Sequence, residues 1–498
     1  MYLKDLRVKM LALPMGIAAD NIFFGWKIIS DKNDVQQTSY KIQVIHGGTL
    51  IWDSGNVASA KSVHVPYAGP ALTEDTEYTW SVEVTNNHQE TAVSESKFFI
   101  AISPKALTAN WIETNLHPIK EEPKSSFLAT ATGRAKTQPA EGKLLPATYM
   151  RRTFTLNKTV RSAHLYATAH GVYNLELNGE KVGNRFFAPE YTSYHNRILY
   201  QTYDVTALLQ VGDNAIGAVI GDGWWGGRIH LQSRSCIYGN KHALFLQMMI
   251  EYEDGTVDQL ISDESFRYAT GPILYSDLFI GEKYDARLEM NGWSKADFDD
   301  SKWQKVVCAD YGTENLAPQE FCPVQIKKEI VAKEMILTPK GETVIDFGQN
   351  MAGIVQMEVT APKGTVITMI HAETLDKEGN FLFNIEGSNK DQTDIYICKG
   401  NGKEIFRPHF TYHGFRYIKL EGYPGKPKLE SFKALVLSSN NEDTGAFTCS
   451  DERINQLQSC IYWSQISNFV SIPTDCPQRE KSGYTGDIGV YIDTAMYN

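Results

Sequence analysis

Three carboxylates crowd into one short stretch near the end of the sequence, Thr474-Asp475-Cys476-Pro477-Gln478-Arg479-Glu480-Lys481-Ser482-Gly483-Tyr484-Thr485-Gly486-Asp487. Asp475, Glu480 and Asp487 fall within thirteen residues of one another. One carboxylic acid can protonate a leaving oxygen, and a carboxylate can activate water or attack a sugar carbon. Further carboxylates can grip hydroxyl groups through charge-assisted hydrogen bonds. Spacing alone does not separate this chemistry from a solvated cap at a helix junction, the commoner role of such a cluster.

The surrounding residues indicate what would position these acids. Pro477 stiffens the segment, while Gly483 and Gly486 permit tight turns. Upstream, Ser450 can cap a helix, with Asp451 and Glu452 in its positive first turn. Ile454, Leu457, Ile461, Trp463, Ile466 and Val470 follow at helical spacing, and Pro473 ends the run. Downstream, Ile488, Tyr491, Ile492, Ala495 and Met496 predict a second helix after Gly486-Asp487. Two helices cannot bury their faces alone, so this end reads as the opening of an interrupted helical domain.

The rest of the chain reads as β-structure. Tyr40–Ile45, Leu50–Trp52, Ser62–Val65 and Tyr78–Val84 give short strands separated by turns, a sandwich resembling a fibronectin type III module over residues 1–103. A second β domain spans 104–330. It opens on a Pro-, Ala-, Thr- and Lys-rich linker at 120–146 and contains an Asn178-Gly179 hairpin turn and another hairpin at Glu253–Thr256. A third sandwich covers 331–442, with Val344–Phe347 and Gly353–Val359 among its strands, and helices occupy 443–498.

Composition narrows the function classes. The 498 residues suggest about three to five domains. Hydrophobic residues at 42% and charged residues at 21% suit a soluble globular protein. The net charge of −11 argues against nucleic-acid or anionic-membrane partners, which call for a basic face. No apolar run reaches the roughly 18 residues of a membrane span. The start of the chain weakly resembles a signal peptide, but Asp5 and Pro14 interrupt it, so a strand is expected. Seven cysteines without pairing spacing read as reduced thiols, hence a cytoplasmic setting, with secretion left open.

Other candidates are weaker. Trp224 and Trp225, in Gly221-Asp222-Gly223-Trp224-Trp225-Gly226-Gly227, suggest either a sugar-binding surface or a packed turn. His409 and His413 are four apart without an HExxH pattern, so no metal site is read there and no cofactor is expected. Gly281–Arg287 reads first as a structural ion pair and second as a pocket wall.

The string DCPQREKSGYTGD at 475–487 resembles the signature of the α-L-rhamnosidases, glycoside hydrolase family 78. GDGWWGGR (221–228), GEKYDARLEMNGW (281–293), DFGQNMAGIVQMEV (346–359) and RPHFTYHGFRYIKLEG (407–422) resemble further segments of that family in the same order. The resemblance implies Glu480 as general acid. It implies Asp475 and Asp487 as ligands of the rhamnose hydroxyls, with Arg479 and Tyr484 beside the sugar. It implies inverting hydrolysis of terminal α-L-rhamnose from glycosides or polysaccharides. It also implies a catalytic (α/α)6 barrel, of which residues 443–498 would be the first helices, with the base further along. On that reading the chain is a fragment that does not turn over substrate by itself. The family usually carries Trp where Tyr484 stands. The competing expectation is a non-catalytic carbohydrate-binding or scaffold protein built from the sandwiches. The sequence leaves the oligomeric state open.

Overall fold

The computed structural model describes all residues except 124, 125, 127, 130–142, 233, 386–390, 440 and 441, so most of the 120–146 linker lies outside the described residues. Alternation decides the first unit. In Gln37–His46 and Thr76–Asn86, Tyr40, Ile42, Val44, Trp80, Val82 and Val84 all point to one buried face. These strands lie in a five-stranded sheet with Met15–Ile17, Thr91–Ile100 and Thr49–Asp53. It packs against a three-stranded sheet of Tyr2–Val8, Phe23–Ile29 and Val65–Pro66, around Phe24, Trp26 and Phe98. The strand expected at 62–65 shrinks to Val65–Pro66, because His64 turns to φ +53.

Two further sheets, of six and seven strands, sandwich a core containing Leu165, Leu175, Ile216, Ala218, Leu246 and Met248. The expected hairpin joins Val172–Leu177 to Glu180–Lys181, with Asn178 at φ +56 and Gly179 at φ +89 as a type I′ turn demands. The second hairpin joins Ala243–Tyr252 to Val257–Ile261.

The largest sheet has ten strands. Its long member, Thr343–Thr360, shifts register between Asp346 and Met351, so the two expected strands are one bent strand. This sheet crosses the division expected at residue 330. It takes in Ile273–Asp277, Gly281–Asp285 and Val324–Val331, and Gly281–Asp285 pairs in parallel with Thr393–Ile397. Strand periodicity names a buried face but not a partner, so this pairing could not be read ahead.

Among the described residues two helices exceed one turn: α1, Glu452–Ser467, and α2, Thr485–Ala495. Two expectations are corrected here. Asp451, not Ser450, caps α1, its carboxylate accepting from the backbone N–H of Arg453 at 3.0 Å. Helix α1 also stops at Ser467, and Val470 belongs to a small hairpin, Phe469–Val470 with Ile472–Pro473, turned by Ser471 at φ +69. Helix α2 begins one turn before Ile488, with Gly486 and Asp487 inside its first turn. Ile466 of α1 joins the core of the ten-stranded sheet beside Val355 and Phe415. No helix among the described residues is long and apolar enough to cross a membrane.

Candidate active site

The acid-bearing loop is seated on β-structure from below. The Ser471 hydroxyl accepts from the backbone N–H of Tyr191 at 2.8 Å, and its own backbone N–H donates to Ser439 Oγ at 3.2 Å. The hairpin entering the loop therefore touches two β units. Pro477 rests on Gly414, where an added Cβ would lie 2.8 Å from Pro477 Cγ, so the strand His413–Glu421 needs a glycine to admit the loop. Gln478 Nε2 donates to Glu373 at 2.6 Å.

Lys481 is the deepest anchor. It sits at φ +47 with its ammonium buried. The ammonium donates to the carbonyl oxygens of Leu278 and of Tyr412, the latter at 2.5 Å, and lies 4.1 Å from the centre of the Tyr412 ring. Burial pulls its pKa down to about 7, although Asp277, Cys476 and Asp394 pull the other way. Below it, His371, Asp394 and His413 bring their ring nitrogens and carboxylate within 4.8 Å of one another. His413 Nε2 is 3.2 Å from the Asp394 carboxylate, and the two imidazoles stack at 4.1 Å. Burial raises Asp394 to about 6 and lowers His371 to about 3. This donor set is of a metal-binding type. Two of its nitrogens, His371 Nε2 and His413 Nδ1, are buried with no hydrogen-bond partner among the described residues, and Lys481 places a positive charge near all three groups.

Glu480 lies between these anchors, its side chain 13% exposed. Tyr484 donates its hydroxyl to Glu480 Oε2 at 2.9 Å, and Arg479 Nε stands 3.4 Å from Oε1. Burial and the neighbouring Glu480 carboxylate push the Tyr484 phenol up to about 12, which keeps it a donor. Ser482 Oγ donates to the Glu480 carbonyl at 2.9 Å and accepts from His230 Nδ1 at 2.6 Å. The loop is closed by Asp475, whose backbone N–H donates to the Ser482 carbonyl at 3.0 Å while its carboxylate accepts from the Ser482 N–H at 3.1 Å.

A cavity of about 590 Å³ opens between α1, the hairpin and α2, with Asp475, Asp487, Gln465, Asn468 and Tyr491 in its wall. Two of the three acids thus share one cavity. Asp487 reaches it from the first turn of α2, where a carboxylate is favoured by the helix dipole. Glu480 is not in that wall. It forms a neighbouring cluster with Arg479 and Tyr484, joined to Asp475 through Ser482. Sequence reasoning missed His230, Gly414 and Glu373, which come from distant strands and loops and carry no local signal. Lys481 was visible only as a charge.

The other candidates resolve plainly. Trp224 and Trp225 are buried, Trp225 stacking 3.7 Å from His170, so they form a packed turn. His409 and His413 face different acids, Glu282 and Asp394. In Gly281–Arg287, Asp285 pairs with Arg287 at 2.7 Å, the structural ion pair expected.

Stacked β units that seat a carboxylate-bearing loop between two helices define a multidomain, mostly-β architecture. Four family models match in order: a Rha78A-like N-terminal immunoglobulin domain (3–101), an α-L-rhamnosidase N-terminal domain (158–328), a bacterial α-L-rhamnosidase concanavalin-like domain (336–438) and a bacterial α-L-rhamnosidase six-hairpin glycosidase domain (442–498). The chain belongs to the α-L-rhamnosidase family. An α-L-rhamnosidase of Formosa agariphila is 32% identical over 97% of this chain and 53% of its own length. One of Streptomyces avermitilis is 38% identical over 82% of this chain and 40% of its own. A crystal structure of a Streptomyces avermitilis α-L-rhamnosidase complexed with L-rhamnose superposes with a TM-score of 0.90 at 28% identity, over 99% of this chain and 63% of that one. The chain spans about half the length of the curated relatives it matches.

Proposed function

We propose that the protein removes terminal, non-reducing α-L-rhamnose from glycosides or polysaccharides by inverting hydrolysis. Glu480 is the general acid, and Asp475 and Asp487 hold the sugar in the cavity they share. The observation that carries the reading is Glu480 itself: shielded, oriented by Tyr484 on one oxygen, and tied through Ser482 to an acid of the cavity wall. Protonation of the departing oxygen by Glu480 accounts for bond cleavage on one face of the sugar. Inversion requires a second carboxylate roughly 6.5–9.5 Å away to activate water. No residue of this chain is assigned that role. Arg479 and Tyr484, which both face the Glu480 carboxylate, are read as further sugar-binding residues. The match of residues 442–498 to a six-hairpin glycosidase domain supports reading α1 and α2 as the opening of a helical catalytic domain.

The test is release of p-nitrophenol from p-nitrophenyl α-L-rhamnopyranoside by the full-length gene product. Glu480→Gln lowers kcat by about 10²–10⁴ through loss of acid catalysis. Turnover at the wild-type rate in that variant overturns the assignment.

A further inference from the structure

Beneath the acid-bearing loop, three neighbouring strands of the ten-stranded sheet each turn one side chain able to bind a metal into a single buried spot. His371 lies in Val366–Ala372, Asp394 lies in Thr393–Ile397, and His413 opens His413–Glu421. Val366–Ala372 is the middle strand and pairs with both others. All three residues are completely buried, and one ligand atom of each lies within 4.8 Å of the other two. The catalytic reading uses none of them.

Each group is held from behind, as metal ligands are. The carbonyl oxygen of Gln392 accepts from the backbone N–H of His371 at 3.1 Å and from its Nδ1 at 3.0 Å. The hydrogen therefore sits on Nδ1, and Nε2 keeps a lone pair. That nitrogen is buried, has no hydrogen-bond partner among the described residues and stands 3.7 Å from Asp394 Oδ2. The backbone N–H of Glu282 aims the carboxylate by donating to Oδ1 at 2.9 Å. His413 Nε2 approaches from the other side, 3.2 Å from both oxygens. Lone pairs on His371 Nε2 and Asp394 Oδ2 thus face each other inside the protein, which is costly unless something positive lies between them.

We infer that this spot binds one divalent transition-metal ion of the zinc class, through His371 Nε2, an oxygen of Asp394 and His413 Nε2. Two imidazoles and a carboxylate suit such an ion, whereas calcium calls for several more oxygens. Two atoms each about 2.1 Å from a tetrahedral ion are about 3.4 Å apart. The separations from the carboxylate, 3.2 and 3.7 Å, straddle that value. As the ion enters, the hydrogen that His413 Nε2 shares with Asp394 passes to solvent. A bridging water could serve two of the lone pairs; a cation takes one from each ligand. The Lys481 charge opposes the ion, so binding is weaker than at a structural site without a neighbouring cation. The role is structural. The ion ties three strands together directly under Gly414, the residue on which Pro477 rests.

The experiment purifies the 498-residue chain from zinc-supplemented culture and measures its metal by equilibrium dialysis and plasma mass spectrometry. One zinc ion binds per chain, with Kd on the order of 1 µM. X-ray absorption at the zinc edge shows nitrogen and oxygen neighbours at about 2.0–2.2 Å and no sulfur. Chelation lowers the melting temperature of the wild type. Asp394→Asn, which keeps the side-chain shape, and His371→Gln each weaken binding by about 100-fold or more, while His409→Gln leaves it unchanged. Should either variant fail to fold, the absorption spectrum of the wild type decides alone. Three results overturn the inference: no stoichiometric zinc in the wild type, which leaves the His371 lone pair to a water; zinc–sulfur scattering, which puts the ion on the free cysteines; or undiminished binding in Asp394→Asn.

Discussion

Residues 475–482 and residues 484–497 lie on either side of Gly483, and the fold holds them by different means. On the first side Pro477, Lys481 and Ser482 are buried, with partners drawn from the ten-stranded sheet, its connections and the loop that carries His230. On the second, Tyr484 is 44% exposed and Val490 is 88% exposed; Tyr484 bonds back to Glu480, Thr444 donates to the Met496 carbonyl, and other bonds run within α2 or across to α1. Glu480 sits on the anchored side, whereas Asp487 sits on the helical side. The β units thus fix the candidate acid, and helix packing sets the distance of Asp487 from it.

Four changes break or sharpen that contrast. The largest effect belongs to Lys481→Ala, which strands the Leu278 and Tyr412 carbonyls in a buried space; it costs about 3 kcal/mol in urea unfolding. A loss no greater than that of a surface lysine would mean the loop is not held there. Glu190→Gln comes next. Burial raises Glu190 to about 7, while its carboxylate accepts from the backbone N–H of Val324 at 2.9 Å, under the Tyr191–Ser471 contact. A carboxyl raised in the fold binds its proton more tightly than in the unfolded chain. Its stabilising contribution is therefore complete below pH about 4.5 and is lost as pH climbs through 7. The variant should match the wild type near pH 4.5 and exceed it by about 2 kcal/mol at pH 8. A gap that does not change with pH would refute this.

Tyr484→Phe removes the donor to Glu480 while keeping the ring. In the full-length product kcat should fall about tenfold with little change in KM, and stability should hold. An effect confined to KM would make Tyr484 a sugar contact alone. The smallest effect is expected of Val490→Ser on the exposed face of α2, within about 0.5 kcal/mol of the wild type by thermal melting. A large loss there would show that α2 is held as firmly as the loop.

Much of this was legible in the sequence. The alternation in Gln37–His46 and Thr76–Asn86 and the Asn178-Gly179 turn are local patterns, and each appears where its residues predict. What stayed hidden is non-local. Trp224 and Trp225 carry the same letters whether they face a sugar or a core, and only the neighbouring His170 and Tyr191 decide it. Val470 continues the helical spacing, yet Ser471 turns the chain into a hairpin because Tyr191 and Ser439 bond to it there. Glu480 and the Asp475–Asp487 cavity separate because backbone bonds around Ser482 set their directions, which spacing along the chain does not encode.

The parallel ladder between Gly281–Asp285 and Thr393–Ile397 constrains how this molecule can be taken apart. A proteolytic nick or gene junction at residue 330 would strip Thr393–Ile397 of one neighbour and leave Gly281–Asp285 as an open edge, a template for intermolecular pairing. Cutting the two β units apart therefore opens a sheet edge. A breakpoint that spares the sheets belongs instead in the short run between Ile100 and Trp111, where the first sandwich has closed and the next has yet to begin.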